Sequence, residues 1–290
     1  MSAEALSAPK GAPLKAFYWS VRRELWEHPS IWMAQVGAGA VVLVGYVISL
    51  PSLPHLIRSG AAAHKAGVDS YAGMPYMLAA AAVGLAGWIT AMLYCAAALH
   101  GERRDRSLLF WKSLPISDPV AVMAKAALPM LVTPVVTVVL VLALHIVMVL
   151  LASPVAMLSG AGLQAFFDRI ILPRVWFELI RGIPMMALWY APIYGWLILA
   201  SGWAKRLPIL WAVAPPLAVA LLEKLAFNTT IVWDWLKLRA IGPFAASMQK
   251  ATPGHPHPTD FASPHLWIGL ALAAAFIVVA VRLRRVADPI

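Results

Sequence analysis

Residues 101–118 read GERRDRSLLFWKSLPISD. Glu102, Arg103, Arg104, Asp105, Arg106 and Lys112 fall within eleven residues, and on both sides the sequence turns to long runs of Ala, Val, Leu and Met. Each of these ions would cost several kcal/mol if placed in hydrocarbon. A charged block between two apolar runs therefore belongs in water at a membrane surface, and the runs beside it belong in the bilayer.

Composition agrees. Hydrophobic residues make up 61% of the 290, charged residues 12%, and the mean hydropathy is +0.77. A soluble domain carries about 25% charged residues. This chain lacks the polar surface to cover itself and reads as an integral membrane protein. Its apolar runs are continuous and roughly 16 to 26 residues long, which suits helices and not the alternating strands of a barrel. The net charge of +10 gathers at the ends of those runs. Membrane topology asks for that placement, so nucleic acid is not an expected partner. The single cysteine, Cys95, lies inside an apolar run. It excludes a disulfide within the chain and reads as a packing residue. The first thirty residues hold charges and prolines with no apolar core before a cleavage site, unlike a signal peptide.

Working outward from the block, residues 1–13 are small, polar and Pro-containing, and are expected to be a disordered tail. Leu14, Phe17, Tyr18, Val21 and Leu25 then recur at helical spacing, with Trp19 and Trp26 suited to headgroup depth. This predicts an amphipathic helix lying in the interface. Pro29-Ser30 ends it. Spans are expected at about 31–50, 75–99, 126–151, 183–201, 207–222 and 266–281. Pro129 and Pro134 are expected kinks, and Pro215-Pro216 interrupts span five. Residues 152–182 and 223–265 are aromatic and amphipathic (Phe166, Phe167, Trp176 and Phe177 in one; Trp233, Trp235 and Phe244 in the other). Both are too charged to span and are expected to lie on the outer leaflet or to re-enter it. The expected fold class is all-α: an integral membrane six-helix bundle with an N-terminal interfacial helix and amphipathic outer segments. Residues 14–290 form a single transmembrane domain on this reading, with a cytoplasmic loop at 100–125.

Six spans place both termini on one side. With that side cytoplasmic, the inner segments hold Lys10, Lys15, Arg22, Arg23, Arg103, Arg104, Arg106, Lys112, Lys125, Lys205, Arg206, Arg282, Arg284 and Arg285, fourteen of the 23 Lys and Arg. The positive-inside rule selects that orientation.

The chain holds no G-x-x-x-x-G-K-[ST], H-E-x-x-H or G-x-S-x-G pattern, so it is not expected to hydrolyse nucleotide through a P-loop or to be an enzyme. His255 and His257, split by proline, read as a Pro-rich loop before they read as a metal site. His145 lies within span three, either a functional group or a neutral histidine bonded to a neighbouring helix. Asn228-Thr229-Thr230 fits the glycosylation pattern, which is short enough to arise by chance. Cys95, Ser201 and Glu223 are too scattered for an intramembrane active site.

Attention returns to 101–125. Residues 102–111 can form a short helix with an apolar face at Leu108, Leu109 and Trp111. Pro115 disfavours helix at Leu114. Ser117 or Asp118 can cap the next helix, with Pro119 at its first position. Such a rigid exposed elbow is either a handle for a partner or a charge cluster that merely holds the loop inside. The order Glu102-Arg103, Ser107-Leu108, Ser113-Leu114-Pro115-Ile116-Ser117 and then Lys125 resembles the cytoplasmic loop of ABC-2 type transporter permeases. An interfacial N-terminal helix carrying Arg23-Glu24, six spans and a long outer segment before the last span extend that resemblance over most of the chain.

The resemblance implies a bacterial cytoplasmic-membrane permease that pairs with a second copy or a paralogue. It implies a separate ATP-binding cassette subunit holding ATP and Mg, with no cofactor or metal in this chain. Coupling to that subunit would run through Glu102, Arg103, Asp105, Ser107, Leu108, Leu114, Pro115 and Ser117. The apolar spans suit an amphipathic or hydrophobic cargo. The alternatives are a stand-alone secondary transporter, which would normally carry ionisable residues or paired half-repeats in its spans, and a membrane scaffold or assembly factor.

Overall fold

Apolar runs and proline punctuation set the helix boundaries. In the computed structural model, residues 12–55, 74–105, 116–158, 172–248, 261 and 263–286 are described. The tail expected at 1–13 lies almost wholly outside them, as do Phe166, Phe167, His255 and His257. The described residues are overwhelmingly helical and contain no strand. The helices are α1 (Ala12–Glu27), α2 (Ser30–Ser49), α3 (Met74–Ala97), α4 (His100–Arg104), α5 (Asp118–Ala127), α6 (Thr133–Leu158), α7 (Leu172–Trp203), α8 (Pro208–Phe227), α9 (Ile231–Met248) and α10 (Pro264–Val286). Six stretches are long and apolar enough to cross a membrane: Ser30–His55, Met74–Arg104, Asp118–Leu158, Val175–Trp203, Pro208–Phe227 and Pro264–Val286. The all-α, six-span reading holds.

Helix lengths exceed what hydropathy suggested. The Asp118–Leu158 stretch has 41 residues, about 60 Å at 1.5 Å per residue, against a hydrocarbon core of about 30 Å. Between α5 and α6 a π-helical turn occupies Leu128–Val132. Pro129 lies within it and Pro134 follows just after its end, each removing a backbone donor, so the two expected kinks appear as one widened turn. Residues 172–182 are continuous with span four in α7 and do not form a separate outer helix. Arg174, Glu178 and Arg181 lower the hydropathy there without breaking the helix.

Span five is also unbroken, because α8 continues through Pro215 and Pro216. Pro216 has no N–H for the carbonyl of Ala212, four residues back. The indole N–H of Trp196 on α7 donates to that carbonyl at 2.7 Å. Trp196→Phe should destabilise the protein by about 1–3 kcal/mol, the cost of a buried acceptor left unmade. Thermal melts in detergent should show the loss, and Pro216→Ala, which restores the backbone donor, should erase most of it. Asn228, in the left-handed conformation (φ 51°), ends α8. The Glu223 carboxylate then accepts from the Ile231 and Val232 N–H groups, both at 2.8 Å, and caps α9.

The described helices fall into two compact units. One comprises residues 30–90 and 132–184. Its core is Tyr46, Tyr76, Ala79, Val83, Val141, Leu144, Met148, Ala152 and Ala156, where alanines let helices approach closely. Its polar groups are bonded to one another. Tyr46 and Tyr76 hydroxyls lie 3.2 Å apart, and Gln35 Oε1 lies 2.7 Å from the Thr137 hydroxyl. His145 sits between the Tyr76 carbonyl (2.9 Å from Nε2) and the Trp176 indole N–H (3.2 Å from Nδ1). A carbonyl on one nitrogen and a donor on the other fix the neutral Nε2–H tautomer. Of the two readings of His145, the geometry is that of the interhelical bond.

The other unit comprises residues 1–29, 91–131 and 185–290. Arg239 of α9 is buried and joins α7 to α10. It donates to the Trp189 carbonyl at 2.9 Å and to the His265 carbonyl, and its guanidinium lies 4.2 Å from the Trp189 ring centroid. In return Trp189 Nε1 and the Tyr190 hydroxyl donate to the carbonyls of Arg239 and Ala240. Burial lowers the Arg239 pKa to about 10, which still leaves it charged near neutrality. Half of the segment expected on the outer leaflet, α9, is thus tied to α7 and α10.

Candidate ionic site at the elbow

Charged residues far apart in sequence converge on α4 and the start of α5. On α1 and the residue directly after it, Ser20, Glu24 and His28 recur every fourth residue and share one face. Glu24 is fully buried. Its Oε1 lies 2.8 Å from Lys125 Nζ and 2.6 Å from Arg23 Nη2, and its Oε2 accepts from the Tyr94 hydroxyl at 2.8 Å. Lys125 Nζ lies 3.1 Å from Glu102 Oε1, and Arg284 Nη2 lies 3.3 Å from Glu102 Oε2. Arg284 also pairs with Asp118. Glu24, Lys125, Glu102 and Arg284 are all buried. Three carboxylates, Glu24, Glu102 and Asp118, meet three cations, Arg23, Lys125 and Arg284. Burying so many ions is tolerable only when each is paired and hydrogen-bonded.

The turn between α7 and α8 joins the same site. Arg103 donates to the Gly202 carbonyl at 2.6 Å, and His100 Nε2 lies 3.4 Å from the Lys205 carbonyl. Ser201 accepts the Leu99 N–H at 3.2 Å where α3 has ended, so its role here is a cap. The described parts of the four segments expected on one side (α1, residues 101–105 and 118–125, the turn before α8 and the end of α10) meet here.

Burial alone would raise the Glu24 pKa. The Lys125 charge, with hydrogen bonds from Lys125, Tyr94 and Arg23, outweighs it and holds the carboxyl at about 2. A carboxyl lower in the folded than in the unfolded protein stabilises the fold above its ordinary pKa, 4.5, and loses that contribution as pH falls toward 2. The contribution is on the order of 3 kcal/mol. Detergent melts should therefore fall steeply between pH 5 and 3, and Glu24→Gln should flatten that slope. Glu27, raised chiefly by burial, works in the opposite sense but is nearly half exposed. Burial lowers His28 and keeps it neutral near pH 7.

The sequence-derived coupling residues divide. Glu102 faces inward, into the ion cluster. Arg103 spends its reach on α7. Asp105 pairs with Arg104 at 3.0 Å, and the two side chains are 60% and 70% exposed. Ser117 precedes α5 in extended conformation and makes no side-chain cap; its carbonyl accepts the Ala121 N–H. Asp118, the other expected cap, turns to Arg284. Ser107, Leu108, Leu114 and Pro115 lie outside the described residues. The sequence reading did not identify Glu24, Tyr94 and Arg284 as partners of the elbow. The available signals were the Ser20, Glu24, His28 stripe and the Arg23-Glu24 pair that the family resemblance carried.

Glu24, Glu27 and His28 could each offer a ligand atom, all within 4.8 Å of one another. Lys125 and Arg23 already occupy Glu24, and a divalent ion would be forced against both. The donor set suits an internal ion network, not a metal. Comparison with family models, with curated proteins and with solved structures gave no match.

Proposed function

We propose that the chain is the membrane-spanning permease subunit of an ATP-driven exporter, working with a separate ATP-binding subunit and a second permease. The supporting observation is the elbow's construction. Its inner face is tied by buried ion pairs to α1, α5 and α10, and its outer face offers Arg104 and Asp105 to solvent. A partner acting on the outer face would move three candidate spans and the interfacial helix through fixed contacts. The elbow motif, the spacing of its residues and the lack of a P-loop support the same reading. In the described spans, polar groups such as His145, Gln35 and Thr137 are engaged with neighbouring helices, which suits a hydrophobic or amphipathic cargo better than a small ion. A membrane scaffold is the second reading. It is favoured by the balance of the ion cluster, which would serve equally well as a static clamp.

A photo-crosslinking residue placed at Asp105 in native membranes should capture a soluble P-loop protein. Capture of lipid alone, or of nothing, would favour the scaffold.

A further inference from the structure

The face of α1 turned away from the ion cluster has a composition of its own. At 3.6 residues per turn, Leu14, Lys15, Tyr18, Trp19, Arg22 and Trp26 occupy one arc. Leu14 and Trp26 are 79% and 70% exposed, and Tyr18, Trp19 and Lys15 are exposed as well. That arc holds two cations and no carboxylate. Glu24 is buried on the opposite side, and Glu27 is engaged with Arg23 at 3.5 Å. The Arg22 guanidinium lies 5.1 Å from the Trp19 ring centroid and 4.7 Å from that of Trp26. Two indoles hold it in place, and among the described residues its planar donors meet no carboxylate. Directly after α1 the chain enters its first candidate span at Ser30, so this face lies where a bilayer surface begins.

We propose that this face docks on an anionic bilayer surface, with Arg22 contacting a lipid phosphate and Trp19 and Trp26 seated among the headgroups. Guanidinium matches phosphate geometry, and indole prefers headgroup depth. A zwitterionic bilayer offers the same phosphate but no net negative charge to balance the two cations. Charge complementarity therefore selects an acidic lipid. The inference rests on the membrane-spanning character of the chain and is independent of the transporter reading.

The test uses the full chain in mild detergent, exchanged against equimolar phosphatidylglycerol and phosphatidylcholine, with retained lipid counted by native mass spectrometry. Wild type should retain phosphatidylglycerol preferentially. Each of Lys15→Gln and Arg22→Gln should reduce that preference about fivefold, from about 1 kcal/mol per charge near an acidic surface. Arg22→Lys should keep most of it. Melting temperatures should not change, since both side chains lie away from the ion cluster. An unchanged lipid ratio in the double variant would overturn the proposal. An equal loss in Lys205→Gln/Arg206→Gln would do the same, by showing diffuse charge at work. Displacement of the lipid by inorganic phosphate would reassign the site to free phosphate. Displacement by a polyglutamate peptide would reassign it to an acidic protein.

Discussion

Replacing Lys125 with alanine should lower stability by about 3–5 kcal/mol, the usual cost of removing one partner from a buried ion pair. Lys125 Nζ serves two carboxylates, Glu24 at 2.8 Å and Glu102 at 3.1 Å. Without it, Glu24 keeps Arg23 and Tyr94 but loses its shortest contact with α5, and the buried cluster carries one excess negative charge. Thermal melts of purified protein should show the loss. The double variant Glu24→Leu/Lys125→Met should be less destabilised than Lys125→Ala. It removes both charges together and refills their volume with apolar atoms. A double variant as unstable as the single would mean that the cluster is more than a balanced set of pairs.

The second large effect is expected at Gly269 on α10. A Cβ there would overlap the Arg239 Cζ and both Nη atoms. An arginine tip normally moves aside cheaply, but this one is held by two carbonyls and the Trp189 ring. Gly269→Ala should therefore cost about 2–4 kcal/mol, through lost charge-assisted hydrogen bonds and cation–π contact. The pair should be strongly non-additive: Arg239→Ala makes room for the new methyl, so adding Gly269→Ala to it should change little. Additive losses in detergent melts would show that the guanidinium does not rest on Gly269.

Much of the fold was legible because apolar runs of this length permit little except membrane helices. Their ends were less legible. Hydropathy falls at Arg174, Glu178 and Arg181, yet α7 continues through them because a helix may be polar where it leaves the bilayer. Pro215-Pro216 read as an interruption because the sequence could not show Trp196 supplying the missing donor. The elbow was legible as a charged, proline-punctuated block, and Glu102 and Lys125 were singled out within it. The direction each side chain takes was not. Glu102 meets Arg284 across 182 residues of sequence, and Lys125 meets Glu24 across 101. Pairings at that separation depend on how helices pack, and no local pattern encodes them. As a result Glu102, expected toward a partner, faces inward, while Arg104 and Asp105 take the outer position.

The proposed function requires a partner ATPase to act on the outer face of the elbow. The most direct measurement is purification of the tagged protein from native membranes in mild detergent, with ATPase activity assayed on the eluate. A P-loop subunit should co-purify and hydrolyse ATP. Arg104→Glu/Asp105→Lys, which leaves the buried cluster intact, should release that subunit without lowering the melting temperature. Elution of the chain alone, with no ATPase activity in wild type, would contradict the claim and leave the ion cluster as a structural clamp.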